Sequence, residues 1–179
     1  MTDRIDPMDG DALYALALTL PDEAPPPELR DRILASLSPT SRFESFIDEI
    51  ARMIDLGQDA VRGLLAKIDN AAEWVAGPPP SRLIHLPYGP RLAQVDVGFV
   101  HVPAGASFPH HRHLGEERVL ILQGSYIDSD GATVGRGQTA HKTAGSSHAF
   151  TVSPGPDLVF LVILTEGIEI EGYGPLGVD

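Results

Sequence analysis

The chain of 179 residues contains no cysteine, which excludes disulfide scaffolds, thiol catalysis, iron–sulfur clusters and cysteine-ligated zinc sites. It also lacks any apolar run near the roughly 18 residues that a membrane-spanning helix needs. Basic residues are few, 13 against 25 acidic ones, and the net charge of -12 argues against nucleic acid as a partner. No basic segment followed by an apolar one opens the chain, so we expect a cytoplasmic protein.

Two proline clusters divide the chain, at residues 25–27 and at residues 78–80. Proline ends helices because it lacks an amide donor and has a fixed φ, so each cluster indicates a boundary. The pattern is helical before residue 80 and β after it. With 42% apolar residues the chain has enough material for a core. We therefore predict a helical region at residues 1–80 and a β domain at residues 81–179.

Four helices are predicted in the first region, beginning with residues 9–20 and 27–37. Ser41 is a candidate N-cap for the third, with Glu44 in capping-box position, and Asp55 is a candidate cap for the fourth. The third and fourth helices have apolar stripes at helical spacing: Phe43, Phe46, Ile47, Ile50, Met53 and Ile54, then Ala60, Val61, Leu64, Leu65 and Ile68. These stripes indicate packing in the chain's own core or, alternatively, docking of a partner.

Short β segments recur after residue 80. Residues 93–102 alternate, which places Val95, Val97, Phe99 and His101 on one face. Residues 118–122 and 158–164 are continuous apolar runs, typical of strands buried on both faces. Asp130-Gly131 is a hairpin-turn dipeptide, and further glycines separate segments of strand length. The pattern predicts a small sandwich or barrel.

All seven histidines lie at residue 85 or later. Three of them and one nearby glutamate form a metal-binding pattern. His111 and His113 are two residues apart, so on a strand both point to the same side. Glu117 follows after a short turn, and His148 comes after Gly145. Three imidazoles and a carboxylate suit zinc, iron, manganese, nickel or copper rather than calcium or magnesium.

The remaining polar and aromatic candidates have weaker signals. We expect His85, His110 and His141 at the surface, and Glu116 facing away from the site. His101 is a candidate for a residue that contacts a metal-binding side chain and orients it. Tyr126 and Phe150 either line a pocket or pack in the core.

The spacing of the histidine segment resembles the first conserved motif of the cupin superfamily. Every position is filled, from Gly105 through His111, His113 and Glu117 to Gly124. The second motif is matched in part by Gly137, Gly145 and His148, with Thr143 in place of the usual proline and Val152 in place of the usual asparagine. The resemblance implies a mainly β fold, a double-stranded β-helix or jelly-roll barrel, with an N-terminal helical extension. It also implies one metal inside the barrel, held by His111, His113, Glu117 and His148.

Residues 108–124 more closely resemble the cupin domain of ChrR-type anti-sigma factors. In that family an N-terminal zinc-binding helical domain holds a sigma factor, and the metal-binding cupin is needed for the response to oxidative stress. Residues 25–37 also resemble the linker after that helical domain. This chain departs from the family because it has no cysteine and no histidine before His85. The usual zinc-dependent sigma clamp is therefore absent from the sequence.

Three functions remain open at this stage. The first is a regulatory cupin that senses an oxidant or a small molecule and has a sigma factor as a candidate partner. The second is an iron(II) dioxygenase acting on a small diketone-like substrate, since three histidines and a glutamate leave coordination positions open. The third is a structural or storage protein without catalysis. We expect one divalent metal per chain, zinc as purified, with iron, manganese or nickel as alternatives, and we expect a homodimer.

Overall fold

The computed structural model describes Pro26, Leu29 and residues 39–177. The elements below all belong to one compact unit, Ser38–Asp179. Helix α1 (Ile47–Ile54) follows a 3-10 segment (Pro39–Phe46), and helix α2 (Gln58–Ala66) continues into 3-10 turns at Lys67–Asp69 and Ala71–Glu73. The predicted helices at residues 9–20 and 27–37 lie outside the described residues, apart from Leu29. None of the described helices is long and apolar enough to cross a membrane.

Twelve strands follow the helices. Their bounds are β1 (Val75–Ala76), β2 (Arg82–His85), β3 (Asp96–Val102), β4 (Ser107–His113), β5 (Glu117–Gln123), β6 (Ser125–Asp128), β7 (Thr133–Gly135), β8 (Thr139–Lys142), β9 (Ser147–Val152), β10 (Leu158–Leu164), β11 (Ile168–Ile170) and β12 (Gly174–Leu176).

The strands form two antiparallel six-stranded sheets. The first sheet has the order β1-β2-β3-β10-β5-β8 and the second β12-β11-β4-β9-β6-β7. A cluster of buried side chains, among them Val100, Phe108, Ile121 and Phe150, joins the inner faces of the two sheets. This arrangement confirms the predicted mainly β barrel with a helical extension.

The two helices cover the outer face of the first sheet. Ile47, Ile50 and Ile54 of α1 share one hydrophobic cluster with Phe99 of β3 and Leu120 of β5. Strands β5 and β10 are thus buried on both faces, which explains their continuous apolar runs. The helical stripes belong to the core of this chain, except that Ala60 is exposed. The division of the chain at residue 80 into two domains stays a prediction.

The predicted helix caps are wrong. The helical segment already begins at Pro39, so Ser41 lies within it, and α1 follows Phe46 without a side-chain cap. Asp55 ends α1 in a left-handed conformation, and α2 follows Gly57 instead. The Asp55 carboxylate accepts hydrogen bonds from the backbone and guanidinium of Arg91 (2.8 and 2.5 Å), and the Arg91 side chain holds the pKa of Asp55 below its usual value. Asp55 thereby ties α1 to the loop before β3.

The turn predictions are confirmed. Asp130-Gly131 lies in the hairpin between β6 and β7, with Gly131 at a φ of 87°. Gly124 has a φ of 72°, and a Cβ atom there would lie 2.8 Å from the carbonyl oxygen of Asp157. Only glycine fits at this close approach, which permits the corner from β5 into β6.

Candidate metal centre

Three buried histidines meet between the two sheets. His111 and His113 lie on β4, and His148 lies on β9 as the register partner of His111. Their relative exposures are 3%, 0% and 6%, and one nitrogen from each lies within 4.8 Å of the other two. Because alternate residues of a strand share a face, the His-x-His spacing places both β4 imidazoles on the inner side.

Glu117 stands at the start of β5, on the other sheet. It falls outside the group of three histidine donors, but its Oε1 lies 3.5 Å from Nε2 of His113. The structure therefore brings all four predicted ligands to one end of the barrel interior, with the histidines on one sheet and the carboxylate on the facing sheet.

Each histidine is held through its Nδ1 atom. Nδ1 of His111 lies 3.0 Å from the carbonyl oxygen of Pro109, and that of His113 lies 3.2 Å from both the carbonyl and the hydroxyl oxygen of Ser146. Nδ1 of His148 lies 2.9 Å from the Asp128 carboxylate. With a proton on Nδ1 donated to these oxygens, the lone pair of each ring is on Nε2.

The free ring nitrogens fit a metal. Nε2 of His113 and Nε2 of His148 are buried and have no hydrogen-bond partner among the described residues. A buried nitrogen without a partner costs free energy, and a metal ion at this point would satisfy both atoms. Three imidazoles with a nearby carboxylate are borderline donors, which suit a divalent transition metal.

Burial favours the neutral form of two of the three imidazoles. Burial lowers the pKa of His111 to about 4 and also lowers the pKa of His148. Both rings are thus neutral near pH 7, and a neutral ring is the form that binds metal. A metal held by these residues would supply a Lewis acid or a redox centre, depending on its identity.

Asp128 and Lys142 are residues of the site that the sequence analysis missed. Asp128 is 5% exposed, and its Oδ2 accepts hydrogen bonds from both His148 Nδ1 and Lys142 Nζ (2.9 and 2.6 Å). Burial by itself would raise the pKa of Asp128, but the bonds from Lys142 and His148 outweigh it and lower the pKa to about 2. Asp128 lies two residues after the buried Tyr126 on β6, so the two side chains share one face of the strand. This alternation is the feature of the sequence that could have predicted an inward-facing carboxylate.

A cavity of about 740 Å³ leads to the site. His111, Glu117 and His148 lie in its wall together with Tyr126, Phe150 and other apolar side chains. Tyr126 and Phe150 therefore line the pocket as well as packing in the inner cluster.

The other polar predictions have mixed outcomes. His85, His110 and His141 are exposed, and Glu116 lies outside the cavity wall, as predicted. The proposed orienting role of His101 is wrong. Its ring lies on the helix side of the first sheet, against Trp74 and 2.9 Å from Asp157, because the face that it shares with Phe99 packs on the helices rather than in the barrel.

Comparison with known proteins bears on the fold and on the family. No curated protein sequence matches the chain significantly. The complex of SigE with the anti-sigma factor ChrR from Rhodobacter sphaeroides is similar in structure, with a TM-score of 0.51 and 19% identity over 86% of this chain and 75% of that one. An acetylacetone dioxygenase from Acinetobacter johnsonii aligns with a TM-score of 0.50 and 17% identity over 61% of this chain and 80% of that one.

Family membership follows from the sequence match. Residues 64–166, more than half of the chain, match the ChrR cupin-like domain. The matched range begins in α2, includes the strands that contribute His111, His113, Glu117 and His148, and ends after β10. The chain therefore belongs to the family of ChrR cupin-like domain proteins.

Proposed function

We propose that this chain is a regulatory protein whose barrel binds one divalent transition metal through His111, His113, His148 and Glu117. The observation that carries the proposal is the pair of buried, unpartnered Nε2 atoms on His113 and His148 in a domain of the ChrR cupin-like family. Zinc is the metal expected on purification, since it accepts three imidazoles and a carboxylate without a redox requirement.

The first sheet connects the metal cavity with the helices. Along β5, Val119 and Ile121 belong to the inner cluster, whereas Leu120 and Leu122 belong to the cluster shared with α1 and α2. A movement of Glu117, the first residue of β5, would therefore be transmitted along this one strand to the side chains that pack against α1 and α2. We propose that residues 1–80 pass the state of residues 81–179 to a partner, for which a sigma factor is the candidate suggested by the family.

An iron(II) dioxygenase is the second candidate. Its support is a metal-suited donor set that opens directly onto a cavity of about 740 Å³, so that a small substrate has access to the metal. The structural similarity to an acetylacetone dioxygenase is in the fold alone. A diketone-like substrate is the class that this candidate implies.

Metal analysis of protein purified anaerobically and without an affinity tag tests the site. We expect one equivalent per chain in the wild type and almost none in the double variant His111→Ala with His113→Ala. His110→Ala is the matched control, because this neighbouring histidine is exposed and should leave the metal content unchanged. Full metal content in the double variant would contradict the site.

The metal and the oxygen consumption together separate the two candidate functions. Zinc with no oxygen uptake on addition of acetylacetone, and metal-dependent binding to a purified sigma factor of the same genome, would support the regulatory function. Iron with acetylacetone-dependent oxygen uptake that disappears in the double variant would support the dioxygenase instead.

A further inference from the structure

The cavity wall beside the candidate metal centre is aromatic. Phe108 and Phe150 stack with ring centroids 5.2 Å apart and an interplanar angle of 6°. Phe160 meets Phe150 edge to face at 6.5 Å, and Val100 and Val162 are among the aliphatic side chains of the same wall. A wall of this kind favours a molecule with a flat apolar body, since such a molecule buries apolar area against the rings.

The charges of the cavity favour an uncharged molecule. Among the described residues that line it there is no lysine and no arginine, while Asp96 and Glu117 are acidic. A divalent metal, if bound, would balance the carboxylates of Asp96 and Glu117, while Asp128 is already paired with Lys142 outside the cavity wall. An anion entering this apolar space would leave a net negative charge uncompensated, which is costly away from water.

Tyr126 supplies a hydrogen-bond donor that is not engaged elsewhere in the fold. It lines the cavity and is only 4% exposed as a residue, and its hydroxyl makes no hydrogen bond to any described residue but is not among the fully buried atoms. Burial raises the pKa of Tyr126, so the hydroxyl keeps its proton. A hydroxyl that lines a cavity and has no partner in the fold is free to donate to a bound molecule in place of water.

We propose that the cavity binds an uncharged, flat, mainly apolar molecule whose carbonyl oxygen accepts a hydrogen bond from Tyr126. This inference rests on the proposed function in that it assigns a ligand class to the same metal-bearing cavity. The selection is made by three features of the chain: the stacked phenylalanines, the charges of the cavity and the unengaged hydroxyl of Tyr126 beside them.

Three probes of almost the same size test the inference by calorimetric titration of the zinc-loaded protein. Acetophenone has the ring and the neutral carbonyl, benzoate replaces the methyl ketone with an anionic carboxylate, and α-methylstyrene replaces the carbonyl oxygen with a CH₂ group. We expect acetophenone to bind more tightly than benzoate. We also expect Tyr126→Phe to weaken acetophenone binding roughly three- to tenfold, the range for one hydrogen bond, while leaving α-methylstyrene unaffected.

Tyr88→Phe is the matched control, because Tyr88 is exposed and outside the cavity wall. Benzoate binding as tightly as acetophenone, or an equal effect of Tyr126→Phe on acetophenone and α-methylstyrene, would overturn the inference. The same titrations on protein stripped of metal keep the two proposals apart. Failure of the protein to take up zinc would count against the metal site alone, since the probe selectivity and the Tyr126 effect remain measurable.

Discussion

Asp128 is the residue that contacts the candidate metal ligand His148 on the side away from the proposed metal. Its carboxylate fixes the ring of His148 through Nδ1 and is itself neutralised by Lys142. Partners of this kind orient a ligand and raise its basicity, and their loss commonly lowers metal affinity about 10- to 100-fold. We therefore expect Asp128→Asn to weaken zinc binding by that factor, measured by competition with a chelator of known affinity.

The control for Asp128→Asn is Glu169→Gln, which removes the same charge. Glu169 pairs with Arg112 of β4 on the neighbouring strand, but its side chain is half exposed. Equal losses of zinc affinity in the two variants would show that overall charge, rather than the orientation of His148, is responsible.

The buried histidines also make stability depend on pH. For His111 the pKa falls from an ordinary 6.5 to about 4 because of burial. Between these values the unfolded chain binds a proton that the folded chain does not, so stability is lost as the pH falls from 6.5 towards 4, by up to about 1.4 kcal/mol per pH unit for one such histidine. Urea unfolding of metal-stripped protein above and within this range should show the loss. His111→Gln should reduce the change of the free energy of unfolding per pH unit. His110→Gln, at an exposed position, is the control, and the same pH dependence in both variants would show that His111 is not its source.

At the scale of elements, the packing of α1 on the first sheet is the contact to test. Ile50 is fully buried between the helix and the sheet, on the side away from the metal centre. Ile50→Ala should lower the free energy of unfolding by about 2–5 kcal/mol because it leaves a cavity. Metal content should stay at the wild-type value. Ile127→Ala, at an exposed position on β6, is the control and should change stability by less than about 0.5 kcal/mol.

Strand β3 shows why the sequence predicts the barrel better than its details. Alternation placed Val97, Phe99 and His101 correctly on one face, but the other face, with Val100 and Val102, is equally buried. Periodicity cannot tell which of two buried faces lines the cavity, so His101 was assigned to the wrong side. The His-x-His spacing succeeded because both imidazoles need the same face. Asp128 was missed because its partners, His148 and Lys142, lie on other strands.

At the scale of the whole molecule, the ends of the two sheets bear on the expected homodimer. The helical stripes that suggested a partner surface are covered by the chain's own first sheet. Strands β1 and β12 instead end the two sheets and pair on one side only within the described chain. Val75 of β1 and Tyr173 and Leu176 near β12 are exposed. Exposed apolar edge strands tend to pair with another chain, so this end of the barrel is the candidate dimer surface.

Light scattering tests this surface because it measures the molecular mass of the protein in solution. We expect a mass near twice the 19.1 kDa of one chain. Leu176→Lys should shift the protein towards the single-chain mass, because a charge on the outermost strand opposes edge pairing. Ile127→Lys is the matched control, since Ile127 is comparably exposed but lies on β6, between β9 and β7. A mass near 19.1 kDa at every concentration of the wild type would refute the dimer, and equal effects of the two variants would refute this edge as its surface.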